Sequence, residues 1–101
     1  MFLTNSINDF NKIKYSNEKQ ILYYNYDRYE GDVKNGKKDG KGIMYWDDGN
    51  RYEGDYKNDK REGKGIFYYN GDREMGDYLN GKKIGKHVKL HKDGNITSNN
   101  Y

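Results

Sequence analysis

Cysteine and proline are both absent from the 101 residues. Without cysteine there is no disulfide framework, no thiol nucleophile and no thiolate metal site, which fits a reducing, intracellular compartment. Serine occurs only at Ser6, Ser16 and Ser98, outside the clear repeats described below, so no serine nucleophile is assembled there. No run of about 20 apolar residues exists, so no helix long enough to span a bilayer is expected. Met1 to Lys19 also lack the basic start and apolar stretch of a secretory signal. Hydrophobic residues reach only 32% against 35% charged, a balance that often leaves a chain unable to offset its ordering entropy. What is present argues against disorder. Twelve tyrosines supply large side chains suited to a half-buried pleated surface. The 13 glycines fall at fixed offsets.

Those offsets define an internal repeat. Tyr29 to Arg51 and Tyr52 to Arg73 share Tyr-Glu-Gly-Asp, a Lys-Asn pair, Gly-Lys-Gly-Ile and a closing Arg. The second unit is one residue shorter, with Asn70-Gly71 where the first has Asp47-Asp48-Gly49. Residues 74–96 form a weaker third copy. It keeps Gly76-Asp77-Tyr78, Asn80-Gly81-Lys82-Lys83 and Gly85-Lys86. It opens on Glu74-Met75 instead of Tyr-Glu, and carries His87 in place of the second glycine of Gly-Lys-Gly. Upstream, Ile21 to Arg28 match Ile66 to Arg73 at an offset of 45, so half a repeat precedes the first full one. The length allows one small domain. Its parts are a cap or degenerate half repeat over 1–19, an array over 20–96 (20–28, 29–51, 52–73 and the degenerate 74–96), and a frayed tail over 97–101.

Each unit reads as a hairpin. Two short runs, Tyr29 to Lys34 and Lys41 to Trp46, flank the turn-rich Asn35-Gly36-Lys37-Lys38-Asp39-Gly40. Repetition predicts an all-β fold: a single-layer, twisted antiparallel meander of about seven or eight strands, each repeat advancing the sheet by roughly 10 Å. The recurring strand glycines are expected to leave space for neighbouring aromatic rings. At the N-terminus, Leu3, Ile7, Phe10 and Ile13 have helical spacing, so a short helix or an eroded strand caps the first edge. The pattern resembles the MORN repeat, whose unit is close to YEGxWxNGKxxGxGxxxxxDGxx, over about residues 21–95. The resemblance implies scaffolding, cytoskeletal or membrane-proximal assemblies inside the cell rather than catalysis.

Two surfaces emerge as candidate sites. Tyr29, Tyr45, Trp46, Tyr52, Tyr56, Tyr68, Tyr69 and Tyr78 are expected to form aromatic ladders, with Glu30 and Glu53 as acceptors for a bound peptide, helix or second copy. The plain alternative is that these rings are simply the core. Lys34, Lys37, Lys38, Lys41, Lys57, Lys60, Arg61, Lys64, Lys82, Lys83 and Lys86 surround the hairpin turns. A basic ridge there would meet anionic lipid head groups, or would only be solvated loops that guard against aggregation. Uncovered sheet ends also invite homodimerisation. The acidic residues alternating with aromatics on the first strands would repel phosphate, so nucleic acid is not the expected partner. His87 and His91 stand four apart in a predicted strand without a third ligand, so no metal is assigned; no cofactor is implied. Carboxylates recur in every unit, which points to a structural role rather than one active site.

Overall fold

The structure, a computed structural model, describes residues 19–101; the N-terminal helix or eroded strand anticipated before Lys19 lies outside the described residues. Eight strands follow: β1 (Lys19–Tyr24), β2 (Asp27–Lys34), β3 (Lys37–Tyr45), β4 (Arg51–Lys57), β5 (Lys60–Tyr69), β6 (Asp72–Leu79), β7 (Lys82–Leu90) and β8 (Ile96–Asn100). Each pairs antiparallel with the next in a single open sheet ordered β1 to β8. The all-β meander read from the repeats is therefore the fold.

Turn chemistry dictates the meander. Asn35-Gly36, Asn58-Asp59, Asn70-Gly71 and Asn80-Gly81 close two-residue hairpins with both residues at positive φ, the geometry whose twist matches the flanking strands. The β3–β4 and β7–β8 links are longer and alike. Trp46 N–H donates to Asn50 O at 3.0 Å and His91 N–H to Asn95 O at 2.8 Å. Asp48 and Asp93 each accept the backbone N–H two residues on, at 2.9 Å. Because these links lie 45 residues apart, β8 occupies the place of β4, and Tyr101 the place of Tyr56. The frayed tail expected at 97–101 is instead a paired strand, and Tyr101 exchanges both backbone hydrogen bonds with Gly85 at 2.9 and 3.1 Å.

The register assigns every side chain to a face. Leu22, Tyr29, Met44, Tyr52, Phe67, Glu74, Lys89 and Thr97 lie opposite one another in one row. The glycine row beside it runs Gly31, Gly42, Gly54, Gly65, Gly76. Tyr29 lies flat over its glycine neighbours: a Cβ built on Gly42 would land in the Tyr29 ring. Tyr52 covers Gly65 in the same way, and its hydroxyl also sits 2.6 Å from where a Gly54 Cβ would be. Tyr29 and Tyr52 are fully buried, and Tyr78 nearly so, although the sheet has no covering layer among the described residues. Edge-on contacts link the rings: Tyr29 to Tyr56 at 5.4 Å, Tyr56 to Tyr52 at 5.5 Å, and Tyr52 to Tyr78 at 5.3 Å. This is the favoured aromatic geometry. Burial pushes the Tyr29, Tyr52, Tyr56 and Tyr78 phenols above their ordinary value.

The third repeat solves the same packing problem with other residues. Glu74 holds the position of Tyr29 and Tyr52, so no ring comes from that position. His87 holds the position of Gly42 and Gly65, and its imidazole covers Gly76 instead. The chain of edge contacts continues through it, Tyr78 to His87 at 5.4 Å and His87 to Tyr101 at 5.1 Å. In the first repeat the Tyr29 hydroxyl donates to Asp32 O at 2.8 Å. In the third, His87 Nε2 donates to the equivalent carbonyl, Asp77 O, at 2.9 Å. Glu74 meets His87 Nδ1 at 3.1 Å and Lys83 Nζ at 2.9 Å, and accepts from the Tyr69 hydroxyl at 3.3 Å. Burial opposes its charge, yet Lys83, His87 and Tyr69 together hold the Glu74 carboxyl below its ordinary value.

Two outcomes check this packing. Gly65→Ala should cost about 2 kcal/mol through overpacking against Tyr52, measured by denaturant midpoint. Gly49→Ala, with open space around it, should cost less, about 1 kcal/mol of positive-φ strain. Glu74→Gln should cost about 1–3 kcal/mol at neutral pH. Since the folded pKa is depressed, Glu74 stabilises fully above the ordinary carboxyl value and loses that contribution as pH falls through the folded value. The gap between wild type and Glu74→Gln should therefore close on acidification; a pH-independent gap contradicts the assignment.

Candidate functional site

The tyrosine face is not the accessible one. Lys38 Nζ stands over the rings of Tyr24 at 4.8 Å and Tyr56 at 5.3 Å. Arg61 lies over Tyr78 at 4.9 Å and Tyr52 at 5.6 Å, and donates to Gly81 O at 3.0 Å. Lys83, the equivalent residue of the third repeat, lies 4.9 Å from the Tyr101 ring. Burial among these rings pushes the Lys38 ammonium below its ordinary value, opposed by Asp59. Such cation–ring contacts are worth about 0.5–2 kcal/mol each, so these three side chains roof the rings rather than line a ridge.

Among the described residues nothing covers the opposite face. Its central row reads Ile21, Glu30, Ile43, Glu53, Ile66, Met75, Val88, Ser98, one residue per strand. Glutamate alternates with isoleucine as far as Ile66. Beyond it, Met75 replaces the repeat's glutamate, so three neighbouring strands present Ile66, Met75 and Val88 together. These side chains, Ile43 and the bare backbone of Gly42, Gly54, Gly65 and Gly76 floor a groove of about 960 Å³. The glycines that make room for rings on one face thus leave a flat floor on the other.

Paired charges edge this groove. On one side Lys41 reaches Asp55 at 2.9 Å and Lys64 reaches Asp77 at 3.3 Å. On the other, Arg28 donates to Glu30 and Arg51 to Glu53, both at 2.8 Å. Their guanidiniums cover the Tyr45 and Tyr68 rings at 4.2 and 3.9 Å. Exposed pairs of this kind contribute about 0–1 kcal/mol each, so they define polar margins more than they stabilise the sheet.

The register divides the aromatic candidates between the two faces. Tyr29, Tyr52, Tyr56 and Tyr78 are core. Trp46 and Tyr69 flank Phe67 on the same face, Trp46 stacked at 5.3 Å and Tyr69 edge-on at 5.3 Å. Tyr45, Tyr68, Glu30 and Glu53 lie on the groove face. Grouping Tyr29 with Glu30 conflicts with strand alternation, which sends adjacent residues to opposite faces. The basic set divides too. Lys34, Lys37, Lys57, Lys60 and Lys82 are exposed at or beside the hairpin tips, without an ion pair among the described residues. Lys38, Arg61 and Lys83 fold onto the rings, while Lys41, Lys64 and Lys86 belong to the groove face. The tips are not purely basic: Asp59, Asp39 and Glu62 accept backbone N–H groups from the neighbouring turn. His87 is in the core, and His91 Nε2 is hydrogen-bonded to Thr97 Oγ1 at 2.8 Å. Among the described residues no group of three His, Cys, Asp or Glu side chains is placed to hold a metal, and no helix is long and apolar enough to cross a membrane. Ile43, Ile66, Met75 and Val88 were not among the anticipated site residues; the parity of each strand relative to its buried tyrosine is the signal that locates them.

Comparison with known families agrees with this geometry. The model of the MORN repeat matches residues 29–51 and 52–73, the two hairpin units whose tyrosines cover glycine pairs. No curated protein matches the chain. The MORN repeat is a non-enzymatic structural module, and these tandem copies, continued by the modified third unit, place the chain among the MORN repeat proteins.

Proposed function

We propose that the chain is a non-catalytic interaction module that seats an amphipathic helix of a partner protein in the groove opposite its tyrosines. The observation carrying this reading is the apolar floor of Ile43, Ile66, Met75 and Val88 between charged margins. Spacing supports a helix. Ile43, Ile66 and Val88 lie on alternate strands, so they repeat every two strands, about 9.6 Å. Apolar residues seven apart on a helix repeat about every 10.5 Å. A helix running across the strands would thus meet one floor residue every second turn. The margins offer both signs of charge, already paired, which suits the polar flanks of such a helix better than a strongly charged ligand. An intracellular setting belongs to the same proposal.

A second reading is supported by the five lysines at the hairpin tips without ion pairs among the described residues. They could touch an anionic membrane surface at about 1 kcal/mol each. The neighbouring Asp39, Asp59 and Glu62 weaken that field.

Peptides selected from a random display library against the full chain test the first reading. Selected sequences should carry heptad-spaced apolar residues, shift the amides of residues 43, 66, 75 and 88, and lose at least tenfold in affinity on Ile66→Lys. Shifts confined to the tyrosine face contradict it. Sedimentation with phosphatidylserine vesicles, lost when Lys37, Lys57, Lys60 and Lys82 become Ser while peptide binding is absent, favours the membrane reading instead.

A further inference from the structure

In the third repeat two cations of the groove face lose the partners that their counterparts have. The arginine before each buried tyrosine is held twice. Arg28 donates to Glu30 and covers Tyr45 at 4.2 Å; Arg51 donates to Glu53 and covers Tyr68 at 3.9 Å. Arg73 is the third member of that series. Met75 stands where its carboxylate would be, and Leu90 where its ring would be. What it keeps is Tyr68 of the preceding strand, at 5.8 Å. The other margin changes in the same repeat. There Lys41 pairs with Asp55, which faces it on the next strand, and Lys64 with Asp77. Lys86 faces Asn100 instead. Asp77, the acid this repeat keeps on the groove face, is already taken by Lys64 at 3.3 Å. Arg73 and Lys86 are exposed, and neither has an ion pair among the described residues.

Their placement selects the ligand. Arg73 lies two residues from Met75 along β6, and Lys86 two residues from Val88 along β7, on opposite sides of the apolar floor. Two residues span about 6.8 Å of strand, so the two Cα positions stand about 14 Å apart. That is too far for both to grip one phosphate or one carboxylate. It suits the two flanks of a helix about 10–12 Å wide lying on Ile66, Met75 and Val88. On such a helix, the residues before and after one of the apolar stripe project about 100° to either side. We propose, on the basis of the groove reading above, that the partner helix carries a carboxylate on each side of its apolar stripe over the third repeat, one taken by Arg73 and the other by Lys86.

The surroundings favour this. A guanidinium takes a carboxylate through two parallel hydrogen bonds. Met75, 40% exposed, and Leu90 would be covered by the helix, so water is displaced beside Arg73 and the pair gains from a lower dielectric. Over the first two repeats the position a partner's carboxylate would need is held by Glu30 and Glu53, which would repel it. The groove therefore has a polarity that places the acidic part of the helix at one end.

Titration calorimetry of the full chain with three synthetic peptides tests this. Each is an alanine-rich helix of about 21 residues with isoleucine at heptad spacing. They differ only in the two residues flanking the last isoleucine, which are Glu, Gln or Lys. The Glu peptide should bind about fivefold tighter than the Gln peptide, and the Lys peptide more weakly than both, with the differences shrinking at high salt. The doubly reversed chain, Arg73→Glu with Lys86→Glu, should invert that order and keep the wild-type circular dichroism, because both side chains are exposed. Met75→Glu, which gives Arg73 the partner its counterparts have, should lower the preference for the Glu peptide. Equal binding of the three peptides, lost in each case on Ile66→Lys, overturns the charge assignment and leaves the groove reading intact. So does a Glu preference that survives the double reversal. No binding by any of the three overturns both.

Discussion

A tyrosine ring lying across a pair of glycines is the contact on which this sheet depends. Among the described residues the single open layer has no second layer to bury its apolar face against, the usual requirement for a stable sheet. Tyr29 over Gly42, and Tyr52 over Gly54 and Gly65, remove that need by laying the core down on the backbone itself. The absence of a side chain at those glycines lets the rings reach full burial. The ordinary penalty of glycine inside a strand is offset by an aromatic surface that no larger residue would admit. Tyr56 and Tyr78 then stand edge-on between successive rings, and Lys38, Arg61 and Lys83 close the rings from the side of the turns.

The same contact shapes the other face. Strand alternation sends the residue after each buried tyrosine outward, so Glu30, Glu53 and, in the third repeat, Met75 share a row with Ile43, Ile66 and Val88. Glycines that accommodate rings on one side leave the groove floor bare on the other. Core and binding surface are thus two consequences of one residue pattern. The third repeat departs from that pattern twice, at Glu74-Met75 and at His87, and each departure has a use. Glu74 and His87 rebuild the core with exchanged roles, and Met75 extends the apolar part of the groove.

Much of this was legible in the sequence. The period, the hairpin boundaries and the single-layer meander follow from Asn-Gly turns and strand runs, because turn chemistry is local. Spatial division was harder to read. Tyr29 and Glu30 look like one site when residues are grouped by type, whereas the period of two separates them. The basic loop residues look equivalent, but Lys38, Arg61 and Lys83 are the second residues of β3, β5 and β7, a position that turns them onto the rings. Glu74 and His87 read as two losses from a decaying repeat, since the contact joining them spans neighbouring strands. Thr97 to Tyr101 read as a tail because Thr97 and Asn99 lack the tyrosine and glycine of the motif, although Tyr101 keeps its place against the core.

The central claim is that ring and glycine form one exchangeable unit. A double-mutant cycle on Tyr52→Glu and Gly65→His transplants the third repeat's solution into the second, where Arg61 stands in the place of Lys83. Chemical denaturation of the four proteins measures it. Each single change should cost about 3 kcal/mol, one by losing the buried ring and the other by overpacking against it. The double variant should recover at least about 1 kcal/mol of their sum, within the coupling range of residues in contact. Strict additivity would contradict the account, since the imidazole and carboxylate would then be unrelated to the ring and glycine they replace.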